Sequence, residues 1–160
     1  MEITVFGGAG VIGSYAVKYL SEMDTFSRII IADYNVKKAK EICKINNKID
    51  FKKIDATDEN SLKSVLKGVD IAINCIGPFY KFSPKILNSV INSGINYVDV
   101  CDDYDATEKL LDNYDKKAKD AGTTCIVGLG ASPGLTNIIA SFATRQLTSV
   151  DSIKIYKRVK

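Results

Sequence analysis

The sequence predicts an open, doubly wound α/β fold: a parallel sheet with helices on both faces. Three observations predict it. Short apolar runs alternate strictly with amphipathic stretches along most of the 160 residues. The runs are apolar almost throughout, as in Ile29-Ile30-Ile31-Ala32, which suits strands buried on both faces. A glycine-rich turn, Gly7-Gly8-Ala9-Gly10-Val11-Ile12-Gly13, joins the first run to the first helical stretch. Right-handed crossovers then make 3-2-1-4-5-6 the first-choice strand order.

Residues 3–6 (Ile-Thr-Val-Phe) form the first strand, and 11–20 a helix opened by the glycines. Residues 28–32 are the second strand, and 36–45 a helix with Asn35 as N-cap. Residues 51–54 are the third strand, followed by a helix over 60–67 that Gly68 closes. The fourth strand, 69–76, ends at Gly77-Pro78. The next helix spans 84–92, with Ser83 as N-cap, Pro84 at its first position and Ser93-Gly94 as its stop. Residues 97–101 are the fifth strand, and 106–121 a long charged helix stopped by Gly122. Residues 123–127 are the sixth strand. The last helix covers 135–147, with Ser132 as N-cap and Pro133 at its first position. Residues 1–148 thus read as one domain, and its glycine-rich first turn makes dinucleotide binding the expectation. Residues 149–160 alternate like the first strand of a second domain.

Composition narrows the function. Hydrophobic residues make up 46% and charged residues 26%, a globular balance that excludes disorder. Lys and Arg (22) exceed Asp and Glu (19) by three, too little to imply a nucleic-acid partner. Without a histidine there is no Ser-His-Asp triad, Cys-His dyad or His metal ligand. The cysteines, Cys43, Cys75, Cys101 and Cys125, form no C-x-x-C pair and read as reduced structural thiols, with no metal. No apolar run approaches the roughly 18 residues of a membrane span, and no basic stretch followed by an apolar one opens the chain. A cytoplasmic location follows as an expectation.

Six segments carry the chemistry. Gly8, Gly10 and Gly13 read G-x-G-x-x-G between a strand and a helix, the context of a dinucleotide fingerprint. Gly8 would permit the tight turn, Gly10 the approach of the pyrophosphate, and Gly13 close packing of helix on strand. Asp33, twenty residues after Gly13, is placed to accept from the adenosine ribose hydroxyls and favours NAD. Lys37 and Lys38 lie just downstream and keep NADP open. Residues 55–58 (Asp-Ala-Thr-Asp) border the adenine, with Asp55 as acceptor and Asp58 as a helix cap. Residues 74–80 end the fourth strand across the topological switch point. There Gly77 admits the cofactor, and Phe79 and Tyr80 are candidates to wall the nicotinamide. Asp102 and Asp103 follow the fifth strand, where a carboxylate can bind an ammonium group or relay a proton. In a chain without histidine Asp102 is the best-placed catalytic candidate, and Asp103 reads as a helix cap. Residues 128–137 form a glycine-rich helix start and a second anion-binding candidate.

Together these segments, with Ile31-Ala32-Asp33, Gly68-Val69-Asp70 and residues 97–103, resemble the N-terminal NAD(P)-binding domain of the saccharopine dehydrogenase-like family. The resemblance implies a Rossmann fold and an oxidoreductase acting on the CH–NH bond of an amino-acid substrate. It also implies cofactor contacts at Gly8, Ala9, Gly10, Val11, Ile12, Gly13, Asp33, Asp55, Ala56, Ile76, Gly77 and Cys101. Family members continue into a second domain that completes the substrate site and the homodimer, so these 160 residues alone are expected to be inactive. A competing reading rests on Gly7, Gly10 and Gly13, which spell G-x-x-G-x-x-G. That is the spacing of atypical short-chain dehydrogenases that sense NAD(P) without turnover.

Overall fold

The computed structural model describes residues 1–156. Six strands, β1 (Glu2–Phe6), β2 (Arg28–Asp33), β3 (Ile49–Lys53), β4 (Ile71–Asn74), β5 (Asn96–Asp99) and β6 (Cys125–Ile126), form one sheet. Its order is β3-β2-β1-β4-β5-β6, and every pair is parallel. Six helices connect and follow the strands: α1 (Val11–Ser21), α2 (Val36–Cys43), α3 (Glu59–Ser64), α4 (Phe79–Asn92), α5 (Tyr104–Ala121) and α6 (Leu135–Thr144). The chain reverses direction across the sheet between β1 and β4, which sets the switch point there.

Strand side chains alternate between faces, so consecutive apolar residues feed two cores. Ile3, Val5, Ile29 and Ile31 point to one face, where they pack with Val17 of α1 and Ala39 and Ile42 of α2. Phe6, Ile30, Ala32, Ala72 and Tyr97 point to the other, against Leu62, Ile86, Leu87, Val90 and Leu110 from α3, α4 and α5. Full burial of each large aliphatic side chain contributes about 1.5–3 kcal/mol, which explains why both faces of these strands are apolar. Thr4, on the second face, is fully buried and satisfies its hydroxyl on the Val65 carbonyl at 2.7 Å.

Several boundaries differ from the sequence reading. Helix α4 starts at Phe79 with Pro78 as N-cap, five residues before the expected start, and contains Pro84 within it. Ser83 does not cap it. Ser83 is fully buried, and its hydroxyl accepts from the Asn74 amide at 3.0 Å. A tertiary hydrogen bond at the sheet edge has taken the group that a local cap would use. Helix α6 is capped by Gly134, at φ 115°, rather than by Ser132. A side chain on Gly134 would press on the backbone of Gly130, so only glycine fits that bend. Helix α3 ends at Ser64, before the turn to Gly68, and β6 has two residues. The strand expected over 149–160 is absent from residues 149–156, and its last four residues lie outside the described ones. Asn35, Asp58 and Asp103 cap α2, α3 and α5 through their side chains, as read.

Candidate functional site

The carboxyl ends of β1, β2, β3 and β4 surround a cleft of about 550 Å³. Its walls include Gly7 and Gly10 from the first loop, Asp33 and Tyr34 after β2, residues 53–57 after β3, and residues 75–77 after β4. The loop is tied to both neighbouring strands. The Gly7 N–H donates to the Ala32 carbonyl at 2.8 Å, and the Cys75 N–H to the Phe6 carbonyl at 2.9 Å.

The three glycines that do the geometric work are Gly7, Gly10 and Gly13. Gly7 has φ 72°, so it makes the turn assigned to Gly8 from sequence, while Gly8 shows no positive φ. A Cβ on Gly8 would instead crowd the Val5 carbonyl at 3.0 Å and Ile31 at 3.1 Å. A Cβ on Gly13 would lie 2.8 Å from the Gly7 carbonyl carbon and the Gly8 Cα, so α1 rests directly on the turn. A Cβ on Gly10 would meet the Gly7 oxygen alone, at 3.0 Å, leaving space at the mouth of α1. The first turn of α1 carries no acidic residue and no side-chain cap, so its free N–H groups and positive dipole end suit an anion.

Asp33 is 5% exposed, and each of its oxygens already accepts a backbone N–H. Oδ2 takes Ala9 N at 2.9 Å and Oδ1 takes Asn35 N at 2.8 Å. Sequence reasoning treats this carboxylate as a free ribose acceptor, whereas in the structure it holds the middle of the glycine-rich loop against β2. Asp55 turns back on its own loop, accepting from Thr57 N at 2.8 Å and Thr57 Oγ1 at 2.6 Å. Those bonds hold its carboxyl below the ordinary carboxylate range. Lys85 of α4 donates to the Thr57 carbonyl at 2.6 Å and pins the same loop. The Cys75 thiol is pushed up to about 11 by burial first and by Asp99 second, so this wall is neutral at physiological pH.

Of the residues expected to touch cofactor, Gly10, Asp33, Asp55, Ala56, Ile76 and Gly77 line the cleft. Gly8, Ala9, Val11, Ile12 and Gly13 shape the loop and the start of α1 without forming its walls. Cys101 is fully buried and stands apart from it. Asp102 lines a second cleft of about 450 Å³ with Asp103, Ser132, Pro133 and Thr136. Lys37 and Lys38 are absent from the walls, whereas Lys53 is among them.

Sequence reasoning missed a buried polar chain that ties the ends of β4, β5 and β6 together. The Asn74 amide donates to Ser83 Oγ and, at 3.1 Å, to Tyr97 Oη. Tyr97 Oη donates to Asp99 Oδ2 at 2.9 Å. Asp99 Oδ1 accepts Cys101 N at 3.1 Å and Gly128 N at 2.8 Å, while Asn74 Oδ1 accepts Ile76 N at 2.9 Å. The chain thus sets Ile76 in the first cleft and the loops leading to the second. Burial raises the Asp99 carboxyl, and the N–H donors of Gly128 and Cys101 oppose that shift. Burial, then Asp99, pushes the Tyr97 phenol well above its ordinary range. A signal was available: Asp99 sits at an inward position of an otherwise apolar run, where an acid needs donors of its own.

Among the described residues no cluster of Cys, Asp or Glu is arranged to hold a metal, and no helix is long and apolar enough to cross a membrane.

Residues 3–126 match the family described as saccharopine dehydrogenase NADP binding domain. A lipid droplet localized protein of Caenorhabditis elegans is 24% identical over 81% of this chain and 33% of its own length. Carboxynorspermidine synthase of Vibrio alginolyticus is 28% identical over 97% of this chain and 42% of its own. The chain therefore spans less than half the length of these relatives. The apo saccharopine dehydrogenase (L-Glu forming) of Saccharomyces cerevisiae superposes with a TM-score of 0.77 at 21% identity, over 91% of this chain and 31% of that one. That likeness shows the fold.

Proposed function

Because this chain belongs to the saccharopine dehydrogenase NADP-binding domain family, we propose that it holds NAD or NADP for an oxidoreductase acting on the CH–NH bond of an amino-acid or polyamine-type amine. One observation carries the cofactor assignment: Gly10 leaves a side-chain-free gap at the amino end of α1, on the wall of a cleft large enough for part of a dinucleotide. In this reading the pyrophosphate lies over Gly10 and the first N–H groups of α1. The adenosine lies along Asp33, Tyr34 and the 53–57 loop, and the nicotinamide lies toward Ile76 and Gly77.

When bound, the nicotinamide supplies the hydride carrier. The chain's own residues bind and orient it. Asp33 keeps the phosphate loop in shape, Lys85 fixes the adenine-side loop, and the neutral Cys75 thiol adds no competing nucleophile. Asp102, exposed in the second cleft, is proposed to bind the substrate ammonium or move its proton. In the longer protein a further domain would complete that site and pair two subunits. The reading as a sensor without turnover draws on the Gly7, Gly10, Gly13 spacing, and the carboxynorspermidine synthase relative weighs against it.

Titration of reduced cofactor, followed by its fluorescence, tests the assignment. The wild-type chain should give saturable enhancement with NADH or NADPH. Gly10→Val should weaken it at least tenfold, equivalent to about 1.4 kcal/mol, while the fold is kept. Absence of saturation at millimolar cofactor, or equal binding by the variant, would contradict it.

A further inference from the structure

Resting on the cofactor reading above, we infer that Lys53 reads the adenosine 2′ position and gives the site its affinity for a 2′-phosphate. Four observations lead to Lys53. It lines the cleft at the last position of β3. Its Cα partner in the parallel ladder is Asp33, so the two side chains leave the sheet on the same face. Adjacent strands are about 4.8 Å apart, which puts an ammonium stem beside the residue expected to border the ribose. Among the described residues, Lys53 takes part in no ion pair, and it is exposed at the cleft.

Neighbouring cations are committed elsewhere. Lys52 points to the opposite face and donates to the Ser64 carbonyl at 2.8 Å. Lys85 is bound to the Thr57 carbonyl. Lys40 sits over the Phe51 ring, and Lys37 and Lys38 are not part of the wall. The acidic groups of this edge are also engaged. Asp33 accepts from two backbone N–H groups, and Asp55 accepts from Thr57. Two N–H donors offset part of the repulsion that Asp33 would direct at a phosphate, and Lys53 offsets more. The adenosine edge therefore carries a fixed carboxylate for ribose hydroxyls and an exposed cation for a phosphate in their place. A flexible lysine acts as a point charge and needs no bidentate geometry, so it tolerates both cofactors.

Fluorescence titrations of NADH and NADPH against wild type, Lys53→Gln and Lys37→Gln test this. Lys53→Gln should raise the NADPH dissociation constant about tenfold, on the scale of one charge-assisted contact, and change that for NADH less than about twofold. Lys37→Gln should leave the NADPH-to-NADH ratio unchanged. Added salt should weaken NADPH binding by wild type more than NADPH binding by Lys53→Gln. The inference is overturned if Lys53→Gln weakens both cofactors equally, if it changes neither, if Lys37→Gln shifts the ratio, or if wild type binds NADH but not NADPH. Each of those results leaves the cofactor assignment standing. Wild type that binds neither cofactor overturns both.

Discussion

Gly13→Ala is expected to destabilise the chain by about 3 kcal/mol or more and to abolish cofactor binding with it. The added Cβ meets backbone on two residues, including the Gly7 carbonyl carbon and the Gly8 Cα at 2.8 Å. Overpacking usually costs about 1–3 kcal/mol when side chains can give way. Here the obstacle is the turn itself, which is tied to β2 through Gly7 N and to Asp33 through Ala9 N. Relief requires α1 to lift from the sheet, which uncovers Val17 and its contacts with the β1–β2 face. Against a total stability of about 5–15 kcal/mol this is a large fraction. Urea unfolding followed by circular dichroism measures it. A midpoint equal to wild type would show that α1 does not rest on the turn.

Asp99→Ala is the second large effect, at about 3–5 kcal/mol. It strips acceptors from three donors at once: Cys101 N, Gly128 N and Tyr97 Oη. Each buried donor left unsatisfied costs about 1–3 kcal/mol, and some relaxation reduces the sum. Asp99→Asn keeps an oxygen for the two N–H groups and should cost far less. The two variants also differ from wild type in pH response. Burial raises the folded carboxyl of Asp99 above its ordinary value of 3.8, so the native state holds that proton more tightly than the unfolded chain. The associated stabilisation is complete below the unfolded value and is lost as pH rises through the folded one. Asp99→Asn should therefore lose less stability than wild type as pH rises above the ordinary carboxyl value of 3.8. Identical pH slopes in the two proteins would show that Asp99 titrates normally and is not the buried anchor described above.

Period and punctuation made the architecture legible. Strands such as Ile29-Ile30-Ile31-Ala32 carry apolar groups on both faces, which admits few sheets other than a parallel one. The side-chain caps at Asn35, Asp58 and Asp103 were equally readable, because each acts within three residues of itself. Local reading failed where a distant partner competed. Ser83 and Pro84 form a good helix start in isolation, but Asn74 on β4 takes the Ser83 hydroxyl, and α4 begins five residues earlier. Gly7 and Gly8 are adjacent, and a spacing pattern cannot say which one bears the positive φ. Asp33 reads from sequence as a residue of this edge, but its hold on the glycine-rich loop does not, since that bond, from Ala9 N, crosses 24 residues of sequence. Lys53 reaches the cleft through its register with Asp33, a fact of strand pairing that no motif encodes.

The most direct test of the cofactor site is residue-resolved. Amide chemical shifts of the 17.5 kDa chain, followed by NMR as NADH is added, report which backbone positions meet the ligand. Saturable shifts are expected at residues 7–13, at Asp33 to Asn35, across residues 53–57 and at Ile76 and Gly77, with far smaller shifts across residues 102–107 and 132–137. Shifts concentrated in the second cleft, or none that saturate, would contradict it.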